Sequence, residues 1–325
     1  MKNYLSILFL LFVCLTNHQT KAQQLGIFTN YLLNDYYYNP AVVGAKDVVV
    51  ANLNYRNQWT GFTDAPVSYL GSIYGSIKNK RKVGLGGMVI ADKSGLMQRT
   101  GGYFTYAYHF KLSETLRLSL GISAGYLQYR VRTYDARLID KGDNVFEGNV
   151  MSANAFDANS GAYLYHKNFF IGISGNQLLN YKVSFANANS HLTSHLYAMA
   201  GYNLKFGSGK EKKNEIQPSA LLRTASNNTT QADVSLKYTY NKTFWLAASY
   251  RTESAICAML GFSYKERFNV AYSYDYALNK INRYSIGSHE FWLSYTLTKK
   301  KRQLTEEELE LDNSVQQLYK QQQQK

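Results

Sequence analysis

The stretch Ala232-Asp233-Val234-Ser235-Leu236-Lys237-Tyr238-Thr239-Tyr240 alternates without a break. Ala232, Val234, Leu236, Tyr238 and Tyr240 fall on one face of an extended chain, and Asp233, Ser235, Lys237 and Thr239 on the other. Successive side chains of a strand point to opposite faces, so period two marks a strand lying between two different environments. The pattern returns where Phe268, Val270, Tyr272, Tyr274 and Tyr276 oppose Asn269, Ala271, Ser273 and Asp275. It returns where Phe291, Leu293, Tyr295 and Leu297 oppose Glu290, Trp292, Ser294 and Thr296, and where Leu116, Leu118, Leu120 and Ile122 oppose Arg117, Ser119, Gly121 and Ser123. No charge falls on the apolar face of these four segments, as a lipid-facing surface requires: a Lys or Arg there costs about 2–4 kcal/mol near the bilayer midplane.

Outward from these segments the same reading gives about fourteen strands. They lie near 47–56, 66–78, 82–91, 98–110, 115–131, 157–167, 168–177, 191–206, 214–224, 229–240, 243–251, 255–264, 267–277 and 287–298. Tight turns at Lys78–Lys82, Lys111–Glu114, His166–Asn168, Asn241–Lys242 and Lys265–Arg267, with the basic Gly207–Asn214, alternate with the remaining connections. Several of those are long: Arg132–Phe156, Leu178–Ser190 and Ala277–Gly287. Short turns on one side and longer loops on the other predict an all-β fold, a transmembrane antiparallel β-barrel of the outer-membrane type. An even strand count places both termini on the periplasmic side. No internal repeat of 40–50 residues supports a propeller, and a soluble sandwich does not need Tyr at so many strand ends.

Composition agrees. The chain has 29 Tyr, 16 Phe and 3 Trp but only 3 Pro, and its mean hydropathy is −0.35. A barrel gives such an average because half of every strand faces a polar lumen. Residues 1–22 read as an export signal: Lys2, an apolar core from Leu5 to Leu15, and a cleavage site at Thr20-Lys21-Ala22 that leaves Gln23 first. Cys14 raises a lipoprotein reading, but Leu11-Phe12-Val13 lacks the small residues usual before a lipidated cysteine. Cleavage leaves Cys257 alone, so no intrachain disulfide is expected.

The formal net charge is +14. Export argues against nucleic acid as the partner. The basic residues gather at turns (Lys78, Lys80, Arg81 and Lys82; Lys210, Lys212 and Lys213; Lys299, Lys300, Lys301 and Arg302), where they form a solvated rim or meet acidic headgroups or an acidic periplasmic partner. Residues 23–46 precede the barrel, which spans 47–298. Within them Asn39 is a good N-cap, Pro40 suits the first helical position and Gly44 can end a single turn. Such a capped turn needs a packing partner, and the lumen is the expected one, so the segment is expected to plug it. The tail, 299–325, opens on Thr305-Glu306-Glu307-Glu308 and ends in a glutamine run. It reads as a marginal helix that orders on a partner, or as a disordered tail.

An enzyme is not expected, and no cofactor is implied. His191 and His195 share a strand face, but metal binding at that spacing belongs to helices, so no metal site is expected. The inward charges Arg117, Asp233, Lys237, Arg251, Asp275 and Glu290 are candidates for a salt-bridged network across the lumen or, less simply, for a catalytic group.

The residues ahead of the second strand are more distinctive. Tyr38-Asn39-Pro40-Ala41-Val42-Val43-Gly44 is followed by Tyr55-Arg56-Asn57-Gln58-Trp59 and by Ala65-Pro66, then by Val83-Gly84-Leu85-Gly86-Gly87 and Asp92-Lys93-Ser94-Gly95. In this order they resemble the PorP/SprF family of type IX secretion membrane proteins. The resemblance is specific over residues 30–90 and extends in strand pattern over the exported chain. It implies an outer-membrane barrel that helps deliver or anchor a cognate secreted surface protein, in some members for gliding motility, without enzymatic activity. The partners implied are membrane lipid, the secreted protein, and periplasmic or outer-membrane secretion components. Asn39, Pro40, Gly44, Tyr55, Arg56, Gln58, Trp59 and Pro66 are the candidate site. Arg56 can hold a carboxylate and Trp59 can anchor at the membrane interface. Together they are either a docking site for the partner or a clamp tying the N-terminal segment to the wall. The alternative function is a diffusion channel or hydrophobic-ligand transporter, which the same barrel physics supports.

Overall fold

A strand with one lipid face and one lumen face still carries a full set of backbone donors and acceptors along both edges. In a membrane these must be met by neighbouring strands all the way round. The computed structural model describes residues 25–77, 82–132, 150–185, 188–207, 213–226 and 230–298. The export signal, Lys78, Lys80 and Arg81, Lys210 and Lys212, and the tail lie outside the described residues.

The strands are β1 (Val50–Asn57), β2 (Val67–Ser76), β3 (Val83–Ser94), β4 (Met97–Lys111), β5 (Arg117–Arg132), β6 (Val150–Tyr165) and β7 (Phe169–Asn176). A small hairpin follows, β8 (Lys182–Phe185) with β9 (Ala188–His191). The wall then continues through β10 (His195–Tyr202), β11 (Leu204–Phe206), β12 (Asn214–Ala225), β13 (Thr230–Tyr240), β14 (Phe244–Arg251), β15 (Ala255–Tyr264), β16 (Phe268–Ala277) and β17 (Ser288–Thr296). Each wall strand pairs antiparallel with its neighbours. β1 pairs with β17 in continuous register from Val50↔Thr296 to Asn57↔His289, which closes the sheet. β10 and β11 both pair with β12 and are separated only by Asn203, so they form one interrupted strand and the barrel has fourteen.

Alternation sorts the side chains as expected. In β13, Asp233 and Ser235 are buried while Val234 is 57% and Leu236 55% exposed on the outside. An arginine at Val234 is expected to lower stability by about 2–4 kcal/mol in urea-driven unfolding from lipid vesicles, whereas exchange of the inward Ser235 for Thr costs far less.

One end of the barrel carries the connections 58–66, 133–149, 177–194 and 278–287 together with three tight turns. The other carries only short ones, at 77–82, 112–116, 166–168, 207–213, 241–243 and 265–267. These are the long-loop end and the short-turn end. The chain enters β1 and leaves β17 at the short-turn end.

The hydrophobic core lies inside the barrel. Phe28, Tyr31, Tyr36, Tyr37, Tyr38 and Val43 are buried against Leu70, Tyr74, Met88, Ile90, Leu127, Tyr197 and Leu221 of the wall. Residues 25–46, called the strap below, run through the lumen and contain one helical turn, α1 (Asp35–Tyr38), and a 3-10 turn, Pro40–Val42. Gly26 lies beside Ser68 and Asp92, near the long-loop ends of β2 and β3, whereas Val43 and Gly44 lie beside Gly84 and His109 at the short-turn end. The strap therefore crosses the barrel end to end. Strand parity puts the entry to β1 and the exit from β17 at one end, and the strap carries residue 25 to the other. Two strand boundaries are corrected. β6 begins at Val150, not near 157, and the presumed loop Leu178–Ser190 contains β8 and part of β9.

Candidate functional site

The head of the strap meets a chain of charges. Asp233 sits between Arg223 and Arg251. Arg251 reaches Asp275 at 3.2 Å, Asp275 receives Arg56 at 2.6 Å, and Arg56 reaches Glu290 at 3.1 Å. All six are buried. Three guanidinium groups face three carboxylates, so the formal charge cancels. They come from β12, β13, β14, β16, β17 and β1, each from an inward position.

The strap completes the network. Thr29 donates its backbone N–H to Glu290 at 2.7 Å and its hydroxyl to Asp275 at 2.7 Å. Asn30 donates its side-chain amide to Ser273 at 2.9 Å, and Arg56 donates to the Thr29 hydroxyl at 2.7 Å. Ion pairs in such a site are held by geometry and by the cost of leaving any one charge unpaired. A second pair lies across the lumen, where Arg99 donates to Asp92 at 2.8 Å through Nε and Tyr103 donates to Asp157 at 2.7 Å.

The other end of the strap is fixed by shape. Asn39 is fully buried and accepts from the Ala41 N–H at 2.9 Å, which caps the 3-10 turn. Its amide donates to the carbonyls of Ala162 at 3.1 Å and Ile173 at 3.3 Å in β6 and β7. The wall beneath is glycine: a Cβ at Gly121 would meet Ala41 N at 2.5 Å, and one at Gly161 would overlap Asn39. Gly44 has φ +86°, and a Cβ there would strike Gly84 and His109. His109 Nε2 donates to Val43 O at 2.9 Å while its Nδ1 accepts from Tyr165 at 2.9 Å. Changing Asn39 to Ala removes the cap and two buried bonds. We expect a loss of about 1–3 kcal/mol, read as a lower urea midpoint.

At the long-loop end the connections clasp one another. Thr60 donates to Gly287 O at 2.8 Å and Ile286 donates back to Thr60 O at 2.9 Å. Asp64 pairs with Lys93 at 3.1 Å and Arg132 at 3.5 Å. The Lys93 hydrogen bond, followed by its charge, holds the Asp64 carboxyl below its ordinary value. This contribution is present above the ordinary carboxylate range and fades as pH falls through the lowered value. Val183 and Leu192 of the 177–194 connection join the buried cluster with Ala153 and Ala155 of β6, which covers the strap from this side.

The candidate residues are thus divided rather than gathered. Asn39, Pro40 and Gly44 seat the strap near the short-turn end. Arg56 sits inside near the long-loop end. Alternation turns its neighbour Tyr55 outward, against Tyr69 at 5.2 Å. Gln58 donates to Pro66 O at 2.8 Å, and Trp59, at φ 56°, donates its N–H to Ser288 Oγ at 3.0 Å. Of the inward charges expected, Asp233, Arg251, Asp275 and Glu290 enter the network. Lys237 lies 5.4 Å over the Trp245 ring instead. Sequence reading missed Arg223 of the network and Arg99, Asp92 and Asp157 of the second cluster; their signal was alternation with the outward Leu222, Thr100, Ala91 and Phe156. Among the described residues no group of His, Cys, Asp and Glu could hold a metal.

A family model described as "Type IX secretion system membrane protein PorP/SprF" matches residues 20–295. No curated protein matches the sequence. Solved structures with a similar course include the Ralstonia pickettii toluene transporter TbuX, at 10% identity and TM-score 0.47, over 80% of this chain and 92% of that one. The CymD monoaromatic hydrocarbon channel matches at 11% identity and TM-score 0.49, over 81% and 92%. A Pseudomonas aeruginosa FadL homologue matches at 10% identity and TM-score 0.45, over 79% and 92%. At these scores no transported compound follows for this chain.

Proposed function

Since the chain belongs to the PorP/SprF family of type IX secretion membrane proteins, we propose that it is an outer-membrane accessory barrel that holds a cognate secreted surface protein at its long-loop end and a secretion component at its short-turn end. The observation that carries this reading beyond the family is the occupied lumen. A diffusion channel needs an open path, whereas here the strap runs through the barrel and is bonded to β4, β6, β7, β16 and β17. The strap acts as a plug, and Arg56 acts as the clamp that ties it to the wall. The acid–base network is a lock, because each carboxylate is already matched to a guanidinium.

The short-turn end faces the periplasm in this proposal. Lys82, Lys213, Lys242, Lys265 and Arg267 gather there, and an exposed basic rim attracts an acidic partner with salt-sensitive strength. Single cysteines test the orientation. A cysteine at Leu179 is expected to react with a membrane-impermeant thiol reagent on intact cells, and one at Lys242 only after the outer membrane is opened. The reverse pattern overturns the orientation and the assignment of partners to ends.

A further inference from the structure

Toward the short-turn end the strap leans to one side of the lumen. Tyr36 bonds Thr105 of β4 at 2.7 Å, Asn39 bonds β6 and β7, and Val43 receives His109 of β4 at 2.9 Å. The opposite wall faces a cavity of about 880 Å³ at this end. Thr243, Ser263, Thr296 and Thr298 line it from β14, β15 and β17 and their ends. Alternation turns all four inward, so the cavity is the mouth of the lumen.

Lys46, Lys242, Lys265 and Arg267 line the mouth, against the carboxylates of Asp47 and Glu266. Lys242 lies 3.4 Å from Glu266, and Lys46 lies 3.6 Å from Asp35. Lys265 stands 5.0 Å over the Tyr264 ring. Among the described residues those two pairs are the salt bridges of the mouth, which leaves Lys265 and Arg267 without a carboxylate. A cleft lined by one excess sign of charge concentrates ligands of the other.

The chain leaves β17 at this mouth and runs into its own acidic segment. Lys299, Lys300, Lys301 and Arg302 follow Thr298 and add positive charge beside it. Glu306-Glu307-Glu308-Leu309-Glu310-Leu311-Asp312 then carries the counter-charge. Glu306 is eight positions beyond Thr298, an extended reach of roughly 26–29 Å. A tether this short holds its end at an effective concentration on the order of millimolar. We propose that residues 306–312 dock in the mouth of the lumen, with their carboxylates on Lys265 and Arg267. The tail then closes the short-turn end in cis, and an acidic partner must displace it to reach the same basic groups. This goes beyond the secretion reading and holds whichever end faces the periplasm.

Carbodiimide joins a carboxylate to an amine only where the two touch, and it tests the contact on the full-length protein in mild detergent. Linked peptides are mapped by mass spectrometry, with the Lys242–Glu266 pair as internal control. The acids of 306–312 should link to Lys265 or Lys242 at least tenfold more than to Lys111 and Lys167, which are exposed at other short turns. High salt should remove most of that excess. Equal linkage to all four lysines, no linkage, or linkage between isotopically light and heavy copies in a mixed sample overturns the proposal. A fluorescent peptide of residues 303–314 gives a second readout on full-length protein. It should bind the combined variant Glu306→Gln, Glu307→Gln, Glu308→Gln, Glu310→Gln and Asp312→Asn at least tenfold more tightly than the wild type, whose own tail holds the mouth. Adding Lys265→Gln and Arg267→Gln should abolish the gain. Equal binding to wild type and variant, or binding to neither, leaves the mouth to a lipid headgroup or an acidic partner and overturns docking in cis.

Discussion

Replacing Arg56 with methionine is expected to destabilise the barrel by about 3–5 kcal/mol. The guanidinium serves Asp275, Glu290 and the Thr29 hydroxyl at once. Its loss leaves three carboxylates facing two arginines in a buried site, and an uncompensated buried charge costs about this much. The double change Arg56→Met with Glu290→Met restores the balance of the remaining four charges. It should recover more than half of the loss, although Thr29 and Asn30 then lack their acceptor. Urea-driven unfolding of the purified barrel in vesicles measures both. Equal destabilisation by the single and double changes would show that Arg56 acts through packing rather than charge.

Deleting residues 23–46 should open the barrel. The strap places Phe28, Tyr31, Tyr36, Tyr37, Tyr38 and Val43 among the buried apolar side chains of the lumen. The wall glycines facing it carry no side chains to refill the space. Single-channel conductance in planar bilayers is expected to rise from near zero to a stable open level, at least tenfold above the intact protein. Unchanged conductance would mean that the strap is not what closes the lumen, leaving the 177–194 connection as the barrier.

Most of the wall was legible because each strand separates lipid from lumen, and that contrast imprints period two wherever both environments are present. The reading weakened where the contrast ends. The upper part of β6 rises above the apolar belt, so Ser152 and Asn154 stand outward where lipid would demand Leu or Val, and the stretch resembled a loop. β8 and β9 carry too few residues to show a period. The break at Asn203 leaves no mark, since β10 and β11 continue the same alternation around it.

The site was legible residue by residue but not as an assembly. Asp233, Arg251, Asp275 and Glu290 could be placed inward from alternation alone. Which arginine meets which carboxylate is set by barrel closure, which joins Arg56 to Glu290 across 234 positions of sequence. The capped turn at Asn39 was local and could be read locally. That the strap runs the full length of the lumen was not, because its course depends on glycines in β3, β5 and β6 that make room for it.

The central claim is that this barrel holds a secreted protein on the long-loop side. The most direct test is to purify the protein from outer membranes in mild detergent and identify what stays bound by mass spectrometry, for the intact protein and for a variant shortened within 133–149. The account predicts that a secreted surface protein and a type IX secretion component accompany the intact barrel, and that the shortened variant loses the first and keeps the second. Recovery of the barrel with neither, or with the surface protein unaffected by the shortened loop, would contradict it.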